Sequence, residues 1–381
     1  MEGGSFAHYV RSGQQMLRCG YTTGTCAALA AAGAVRLLLT GKPPEAVSLV
    51  TPKGLEVTVF PAEAELLEDG RRARCAVRKD AGDDCDVTNG MLICAEVTRH
   101  PGTGVRIGGG PGVGRVTRPG LDQPVGSAAI NRVPRRMIEE QVRKACLELG
   151  CGDGMDVTVS IPGGEERAAK TFNPLMGVEG GLSILGTSGI VEPMSERAIV
   201  DTIAVQEHQA AVNARSLILT PGNYGADFLR KTGLDALGVP VVKCSNFLGE
   251  ALDIATVEKF EQVLLVGHMG KLVKVAGGVM NTHSRYADCR AELFCAHAAL
   301  CGADRELCRS LMDAATTDAC VELLDRAGVR EAVVSSLLAA VQRHLERRAA
   351  GAYAVGAAAF SNRYGLLGLT DQAKEILEQW R

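Results

Sequence analysis

Residues 263–276 read VLLVGHMGKLVKVA, and this stretch decides the fold of the second half of the chain. The apolar run Val263–Val266 is typical of a buried strand, and the glycine turn Gly267–Gly270 leads directly into a helix. The same order recurs where Leu217–Leu219 runs into the turn Pro221–Gly225 and a helix. Because short strands alternate with glycine turns and helices, the second half is predicted to be α/β with a mostly parallel sheet.

A third unit of this kind is predicted at Leu182–Leu185 and the turn Gly186–Gly189, which places a domain boundary just before it. The first domain, residues 1–180, is predicted to be α+β, with a buried helix at Cys26–Leu39 and several strands between residues 47 and 99. The second domain, residues 181–381, is predicted to be α/β, and about eighty residues at its end are predicted to form a mainly helical tail.

Composition narrows the class of protein and its partners. The 381 residues carry a net charge of −3 and are 46% hydrophobic, as in an ordinary soluble globular protein. Without a global positive field, neither nucleic acid nor a membrane is expected as a partner. The first residues lack a basic segment followed by an apolar run, which predicts a cytoplasmic protein. The thirteen cysteines include no Cys-x-x-Cys pair, so we expect reduced thiols and no protein-bound metal.

The three glycine turns are candidates for one ligand site. Ligands of open α/β sheets bind beyond the carboxyl ends of the strands, where glycines allow backbone amides to approach an anion. The alternative is that each is only a tight turn between a strand and a helix. No phosphate-binding loop is present, since Leu272 follows Lys271. The candidate ligand-binding residues are Gly186, Thr187, Ser188, Gly189, Gly222, Asn223 and Gly267.

A local positive region lies between residues 99 and 136, which contain seven arginines and one acidic residue, Asp122. Arginine binds carboxylates in a bidentate manner, so this segment is a candidate site for a polyanion. The alternative is that the guanidinium groups point into water or pair with distant acids. Aromatic stacking residues are missing from the segment, which argues against nucleic acid. The arginines of interest are Arg118, Arg132, Arg135 and Arg136.

Two further residues are candidates for acid–base chemistry. Asp83 lies in the acidic segment Lys79–Gly90, which also suits a hard cation or a plain polar turn between strands. His268 lies in the turn after Val263–Val266, where it is either a proton donor or acceptor or a structural hydrogen-bonding group.

Long blocks of the sequence resemble the cobalt-precorrin-5B C1-methyltransferases. The resemblance runs from about residue 17 to residue 290, and the tail is less distinctive. Cys19, Cys85 and Asn89 stand where the family pattern leads us to expect threonine, proline and histidine. The blocks are Leu17–Ala28, Lys79–Gly90, Thr117–Leu121, Pro124–Gly126, Asn131–Arg135, Gly186–Ser195, Pro221–Gly225, Ser245–Gly249, Gly267–Lys271 and Asn281–Asp288.

The resemblance implies an enzyme of cobalamin biosynthesis that transfers a methyl group from S-adenosylmethionine to C1 of a cobalt-containing tetrapyrrole. The cobalt then belongs to the substrate, and the substrate's carboxylates give the arginine segment a partner. The glycine turns would suit the cofactor. Tyr21, Thr22 and Thr23, at the start of a helix, would hold an anionic group of the substrate or cofactor.

Two rival functions fit the residues. A non-catalytic tetrapyrrole carrier would bind the macrocycle without changing its mass. An ATP-using small-molecule kinase would place phosphates on the glycine-rich segment Ile107–Val116. The sequence leaves a homodimer open.

Overall fold

A computed structural model describes residues 6–12, 14–171, 173–174 and 176–380. The chain divides into two compact units, the first ending at Ser195 and the second beginning at Glu196. The boundary at residue 180, drawn from the sequence to separate two functional domains, stays a prediction.

The first unit contains fifteen short or medium strands and three helices among its described residues. In chain order its elements are β1 Tyr9–Ser12, β2 Gln15–Arg18, β3 Gly20–Tyr21, α1 Thr23–Thr40, β4 Val47–Val50, β5 Glu56–Val59, β6 Glu63–Leu67, β7 Arg72–Arg78, β8 Leu92–His100, β9 Val105–Gly109, β10 Gly112–Val113, β11 Arg115–Val116, α2 Arg132–Glu148, β12 Gly154–Ser160, α3 Gly164–Ala168, β13 Val178–Glu179, β14 Gly181–Leu182 and β15 Ile190–Val191.

The main sheet of the first unit has the order β6-β7-β8-β12-β9, and all of its pairings are antiparallel except that of β12 with β9. Helix α1 packs on β7, β8 and α2. Its small residues allow this close packing, since a Cβ at Gly33 would lie 2.7 Å from Cys75 Sγ. The buried helix and the strands expected between residues 47 and 99 are therefore confirmed.

Helix α1 is also long and apolar enough to cross a membrane, by length and composition alone. Most of it is buried inside the first unit, as expected of the core helix of a globular domain.

The second unit has five strands and nine helices among its described residues. They are α4 Glu196–Asn213, β16 Ser216–Pro221, α5 Gly225–Thr232, β17 Val241–Ser245, α6 Leu248–Val257, β18 Gln262–His268, α7 Met269–Ala276, α8 Arg290–Leu300, α9 Arg305–Met312, α10 Thr317–Arg326, α11 Arg330–Ala349, β19 Ala354–Ser361, β20 Gly365–Leu369 and α12 Asp371–Gln379.

The sheet of the second unit has the order β17-β16-β18-β19-β20, with four parallel strands and one antiparallel edge. Both faces are covered, because alternate residues of β16 and β18 enter two different hydrophobic cores. The mixed α/β character of the chain is thus confirmed.

The tail is mainly helical, as predicted, but it also contains β19 and β20, which follow helices α8–α11, and β19 pairs with the central strand β18. One detail of the expected architecture is wrong. The turn Gly186–Gly189 does not follow a strand of the parallel sheet. The strand before it, β14, pairs with β10 in the first unit, so the turn belongs to that unit.

Candidate functional site

The second unit has a topological switch point at the carboxyl edge of its parallel sheet. From β16 the chain moves to β17 on one side and then returns to β18 on the other side. The connections after β16 and β18 therefore lead away in opposite directions, and in α/β proteins ligands commonly bind between the turns at such a point. This edge is the best candidate site in the second unit.

Glycines bring these two turns into contact. Gly222 has φ +76°, and a Cβ there would lie 2.7 Å from Cε of Lys271. A Cβ at Gly267 would lie 3.0 Å from Cγ of Pro221. Asn223 holds the first turn to β17, because its Oδ1 accepts a hydrogen bond from Nζ of Lys243 at 2.6 Å. Three of the predicted ligand-binding residues, Gly222, Asn223 and Gly267, thus lie at one edge.

His268 is the last residue of β18 and the N-cap of α7. Its Nδ1 accepts a hydrogen bond from the Gly270 amide at 3.1 Å, which assigns the proton of the neutral ring to Nε2. Burial lowers its pKa, Asp318 opposes this and Lys271 adds to it. The ring is therefore neutral at pH 7. It can donate a hydrogen bond from Nε2, but accepting a proton at Nδ1 would break the helix cap.

Two lysines at this edge were missed by sequence reasoning. Lys271 donates to Oδ1 of Asn246 and to Oγ1 of Thr282, and Lys243 donates to Asn223 as described above. The sequence around Lys271 does not match a phosphate-binding loop, so it gives no reason to single this residue out. The signal that reveals it is the passage of its stem next to Gly222, which depends on the tertiary structure.

The predicted residues of the first unit form a different arrangement. Thr22 is the N-cap of α1 and accepts a hydrogen bond from the Thr25 amide at 3.2 Å. Oγ1 of Thr23 accepts from the Leu185 amide at 3.0 Å. The hydroxyl of Tyr21 donates to the carbonyl oxygen of Arg78, and burial raises the Tyr21 pKa. All three predicted residues are buried and engaged within the unit, so their contact with a ligand stays a prediction.

The turn Gly186–Gly189 packs on the start of α1 and is hydrogen-bonded to it. The carbonyl oxygen of Gly189 accepts from the Thr22 amide at 3.0 Å and from Oγ1 of Thr25 at 2.6 Å. Gly186 has φ +129°, and a Cβ there would lie 2.4 Å from Oγ1 of Thr22. Ser188 bonds within its own loop, to the backbone of Ile190, and Thr187 is exposed. Close packing therefore accounts for both glycines, since a Cβ at Gly189 would lie 2.8 Å from Cβ of Thr51 and 3.0 Å from Oγ1 of Thr25.

Of the four arginines singled out in the sequence, one has a structural role and three are exposed. Arg135 donates to the carbonyl oxygens of Ile130 at 2.8 Å, Ile107 at 3.1 Å and Ala128 at 3.5 Å. Burial lowers the pKa of its guanidinium, with Asp122 opposing. The other three are exposed at the surface: Arg118, Arg132 and Arg136.

We expect Arg135→Ala and Arg136→Ala to differ sharply in stability. Loss of three charge-assisted hydrogen bonds to carbonyls should cost Arg135→Ala about 2–4 kcal/mol of unfolding free energy. Among the residues that the structure describes, the ion pair of Arg136 is an exposed one with Glu140 at 3.7 Å. Its removal should change stability by less than about 0.5 kcal/mol. Urea unfolding followed by circular dichroism measures both, and equal losses would contradict this division.

The acidic segment is bonded both to Arg18 and within itself. Oδ2 of Asp83 accepts from the Arg18 amide at 2.6 Å, and the Asp80 carboxylate accepts from both terminal nitrogens of Arg18 at 2.6 and 2.8 Å. Asp86 binds Nζ of Lys79 at 2.6 Å. Among the described residues, no group of three or more His, Cys, Asp or Glu is placed to hold a metal. Asp83 is exposed and lies in the first unit, so a catalytic role for it stays a prediction.

Comparison with known proteins decides the family. The CbiD family matches residues 10–193, and the CbiD C-terminal domain family matches residues 281–371. The chain belongs to the CbiD family. Residues 194–280, which carry the switch-point turns, lie between the two CbiD matches.

Close CbiD relatives cover almost the whole chain. A cobalt-precorrin-5B C(1)-methyltransferase of Ruminiclostridium cellulolyticum is 46% identical over 342 residues, covering 89% of this chain and 88% of the relative. One of Alkaliphilus metalliredigens is 41% identical and covers 97% of both chains. A crystal structure of the cobalamin biosynthesis protein cbiD of Archaeoglobus fulgidus is 30% identical, covers 73% of this chain and 86% of its own, and has a TM-score of 0.39. The resemblance found in the sequence is confirmed.

Proposed function

We propose that this CbiD protein transfers a methyl group from S-adenosylmethionine to C1 of cobalt-precorrin-5B, giving cobalt-precorrin-6A in cobalamin biosynthesis. The observation that carries the proposal is that relatives of this name are 41–46% identical and span most of the chain. The cobalt is part of the substrate.

We place the cofactor at the switch point of the second unit. Gly222 and Gly267 allow close approach of a ligand to the backbone, Asn223 is fixed by Lys243, and Lys271 supplies a positive charge. When bound there, S-adenosylmethionine supplies a methyl group on a positively charged sulfur, open to in-line attack. The protein's part is to orient this group and exclude water, which needs no nucleophilic side chain.

His268 is the proposed hydrogen-bond donor of the site. Its Nδ1 is held by the Gly270 amide, so Nε2–H has a fixed direction at the end of β18. Tyr224 and Phe360 flank the ring, with centroids at 6.0 and 5.6 Å. A neutral donor fixed in this way can orient a polar group of substrate or cofactor without a change of charge.

The substrate's carboxylates are proposed to meet the exposed guanidinium groups of Arg118, Arg132 and Arg136. Arg135 is left out, because its donors already serve three carbonyl groups. We propose a cytoplasmic location, where such a biosynthetic substrate is made.

The test is mass spectrometry of cobalt-precorrin-5B incubated anaerobically with the protein and S-adenosylmethionine. We expect a gain of one methyl group with S-adenosylhomocysteine formed, and NMR should place the methyl at C1. Binding of the tetrapyrrole with no change of mass would replace the proposal by a carrier function.

A matched pair of variants tests His268. Asn at position 268 can still cap α7, but it lacks the imidazole N–H, so His268→Asn should lower kcat about 100-fold. His297→Asn is the control, since burial also lowers the pKa of His297 and its ring bonds only Ser336 Oγ, at 2.8 Å, among the described residues. Equal activity of the two variants would reduce His268 to a helix cap.

A further inference from the structure

Three lysines converge near the carboxyl edge of the second unit's sheet, and within the described residues their ammonium groups donate hydrogen bonds to neutral oxygens. Nζ of Lys243 donates to Asn223, and Nζ of Lys271 donates to Asn246 and Thr282. Nζ of Lys274 donates to the carbonyl oxygens of Thr282 at 3.3 Å and Ala287 at 2.8 Å. Within the described part of the chain, none of the three forms an ion pair with Asp or Glu. The edge therefore carries an excess of positive charge.

Lys271 and Lys274 place two positive charges close together in a poorly solvated position. Lys274 is buried, with 4% of its surface exposed, and Lys271 is half-buried. The nearby acid Asp288 is engaged by Arg290 through two hydrogen bonds of 2.7 Å. Burial lowers the pKa of Lys271, and Lys274 lowers it further. Burying a cation without a counterion costs free energy, because the charge loses contact with water. An anionic ligand bound here would reduce this cost.

The position of Lys271 is fixed by the turns at this edge. Its stem passes next to Gly222, where a side chain would collide with it, and its ammonium group donates to Asn246 and Thr282. Thr282 also donates to Oδ1 of Asn246 at 3.2 Å, so the two acceptors are themselves connected. A lysine held in this way is preorganised, and little side-chain entropy is lost when it binds an anion.

We propose that Lys271 binds a ligand carboxylate between the Gly222 and His268 turns. The inference rests on the proposed function, whose two reactants both carry carboxylates: the amino-acid part of S-adenosylmethionine and the side chains of the tetrapyrrole. Lys271 is thus the charged anchor of a site whose other walls are glycine backbone and neutral polar groups.

Two substitutions separate the charge from the hydrogen bond. Lys271→Met removes both but keeps an unbranched stem next to Gly222, whereas Lys271→Gln keeps a donor for Asn246 and removes the charge. Lys231→Met, at an exposed position of α5, is the control. Thermal unfolding of each variant establishes that it is folded before binding is measured.

Calorimetry with S-adenosylhomocysteine and 5′-methylthioadenosine identifies the source of the carboxylate, since only the former has one. If the carboxylate is the cofactor's, both Lys271 variants should raise the Kd of S-adenosylhomocysteine by about 10- to 100-fold and leave that of 5′-methylthioadenosine unchanged. If it is the substrate's, cobalt-precorrin-5B binding should weaken instead, with S-adenosylhomocysteine unaffected. Either result supports the inference.

Wild-type affinity of both Lys271 variants for both carboxylate-bearing ligands would overturn the inference, as would retention of binding by Lys271→Gln alone, because the hydrogen bond and not the charge would then matter. The failure of the proposed function is a separate result. It would appear as absence of methylated product with the wild-type protein, and the Lys271 inference would still be decided by the binding measurements.

Discussion

Asp86→Asn is expected to lower the unfolding free energy of the first unit by about 3–5 kcal/mol. The Lys79 side chain is 1% exposed and its Nζ lies 2.6 Å from Oδ2 of Asp86. Thr88 donates to the other oxygen through its hydroxyl at 2.6 Å and its amide at 2.7 Å. Asparagine preserves the volume but leaves a buried ammonium group without a counterion, which is the costly way to break a buried ion pair.

The pH dependence of this effect has a definite sign. Burial alone would raise the pKa of Asp86, but the charge and hydrogen bond of Lys79, with the bonds from Thr88, outweigh it and lower the pKa below its ordinary value of 3.8. A carboxyl whose pKa is lower in the folded state stabilises above the unfolded value and loses this contribution as the pH falls through the folded value. The difference between wild type and variant should therefore shrink in acid, below about pH 4.

Far-UV circular dichroism in urea is the measurement for Asp86→Asn, because the chain's single tryptophan, Trp380, lies in the second unit and its fluorescence reports that unit. Asp153→Asn is the control, since Asp153 is 55% exposed and forms a long ion pair of 3.8 Å with Arg99. Equal destabilisation by the two substitutions would show that the Lys79–Asp86 pair is not specially important.

The opposite effect is expected at Glu207, where Glu207→Gln should stabilise the second unit by about 3 kcal/mol at pH 7. Glu207 is fully buried in α4, and neither carboxyl oxygen has a hydrogen-bond partner among the described residues. Burial raises its pKa to about 9, and the charge of Glu258 adds to the shift. Folding at neutral pH therefore requires the carboxyl to take up a proton that it does not hold when unfolded.

The stabilisation by Glu207→Gln depends on pH. A carboxyl whose pKa is raised from 4.5 to about 9 leaves folding unpenalised below the lower value. The penalty grows through the interval and levels off above the higher value. Glutamine does not titrate, so its advantage should be small near pH 5 and largest near pH 9.

Trp380 fluorescence in urea at these two pH values measures the advantage of Glu207→Gln in the second unit. Glu306→Gln, at an exposed position of α9, is the control. A pH-independent difference, or a variant less stable than wild type at pH 7, would refute the assignment of Glu207 as a buried neutral acid.

The sequence predicted those parts of the fold in which local pattern and burial agree. The apolar run Val263–Val266 and the turn at Gly267 are a strand and a turn as expected, because unbroken apolar runs are needed where a parallel sheet is covered on both faces. Helix α1 was equally predictable, since its apolar residues extend nearly all round and Gly41 marks its end.

Strand β19 was not predictable from its own residues. Ala354–Ser361 is mostly alanine and glycine, which local propensity does not favour in strands. The structure supplies the reason, because a Cβ at Gly356 would lie 2.4 Å from the backbone nitrogen of Ala373 in α12. Small residues are required by the close approach of a helix, which is a property of the tertiary fold.

The candidate sites divide along the same line. Glycines mark the turns at strand ends in the sequence, so it was possible to predict Gly222, Asn223 and Gly267 as site residues. Arg135 could not be distinguished from Arg136 in the sequence, because the three carbonyl groups that Arg135 binds come together only in the folded unit, where Arg136 is exposed. Lys271 gains its interest from Gly222, about fifty residues earlier in the chain.

The late position of β19 in the chain has a consequence for synthesis on the ribosome. Strand β18 pairs with β19 from Gln262↔Ala354 to His268↔Phe360, a separation of about ninety residues that contains five helices. Until the segment that forms β19 has emerged, β18 presents an open hydrogen-bonding edge of apolar residues, the kind of edge that recruits other chains. We therefore expect nascent chains stopped between β18 and β19 to aggregate or to be retained by chaperones, and release of the complete strand to end that exposure.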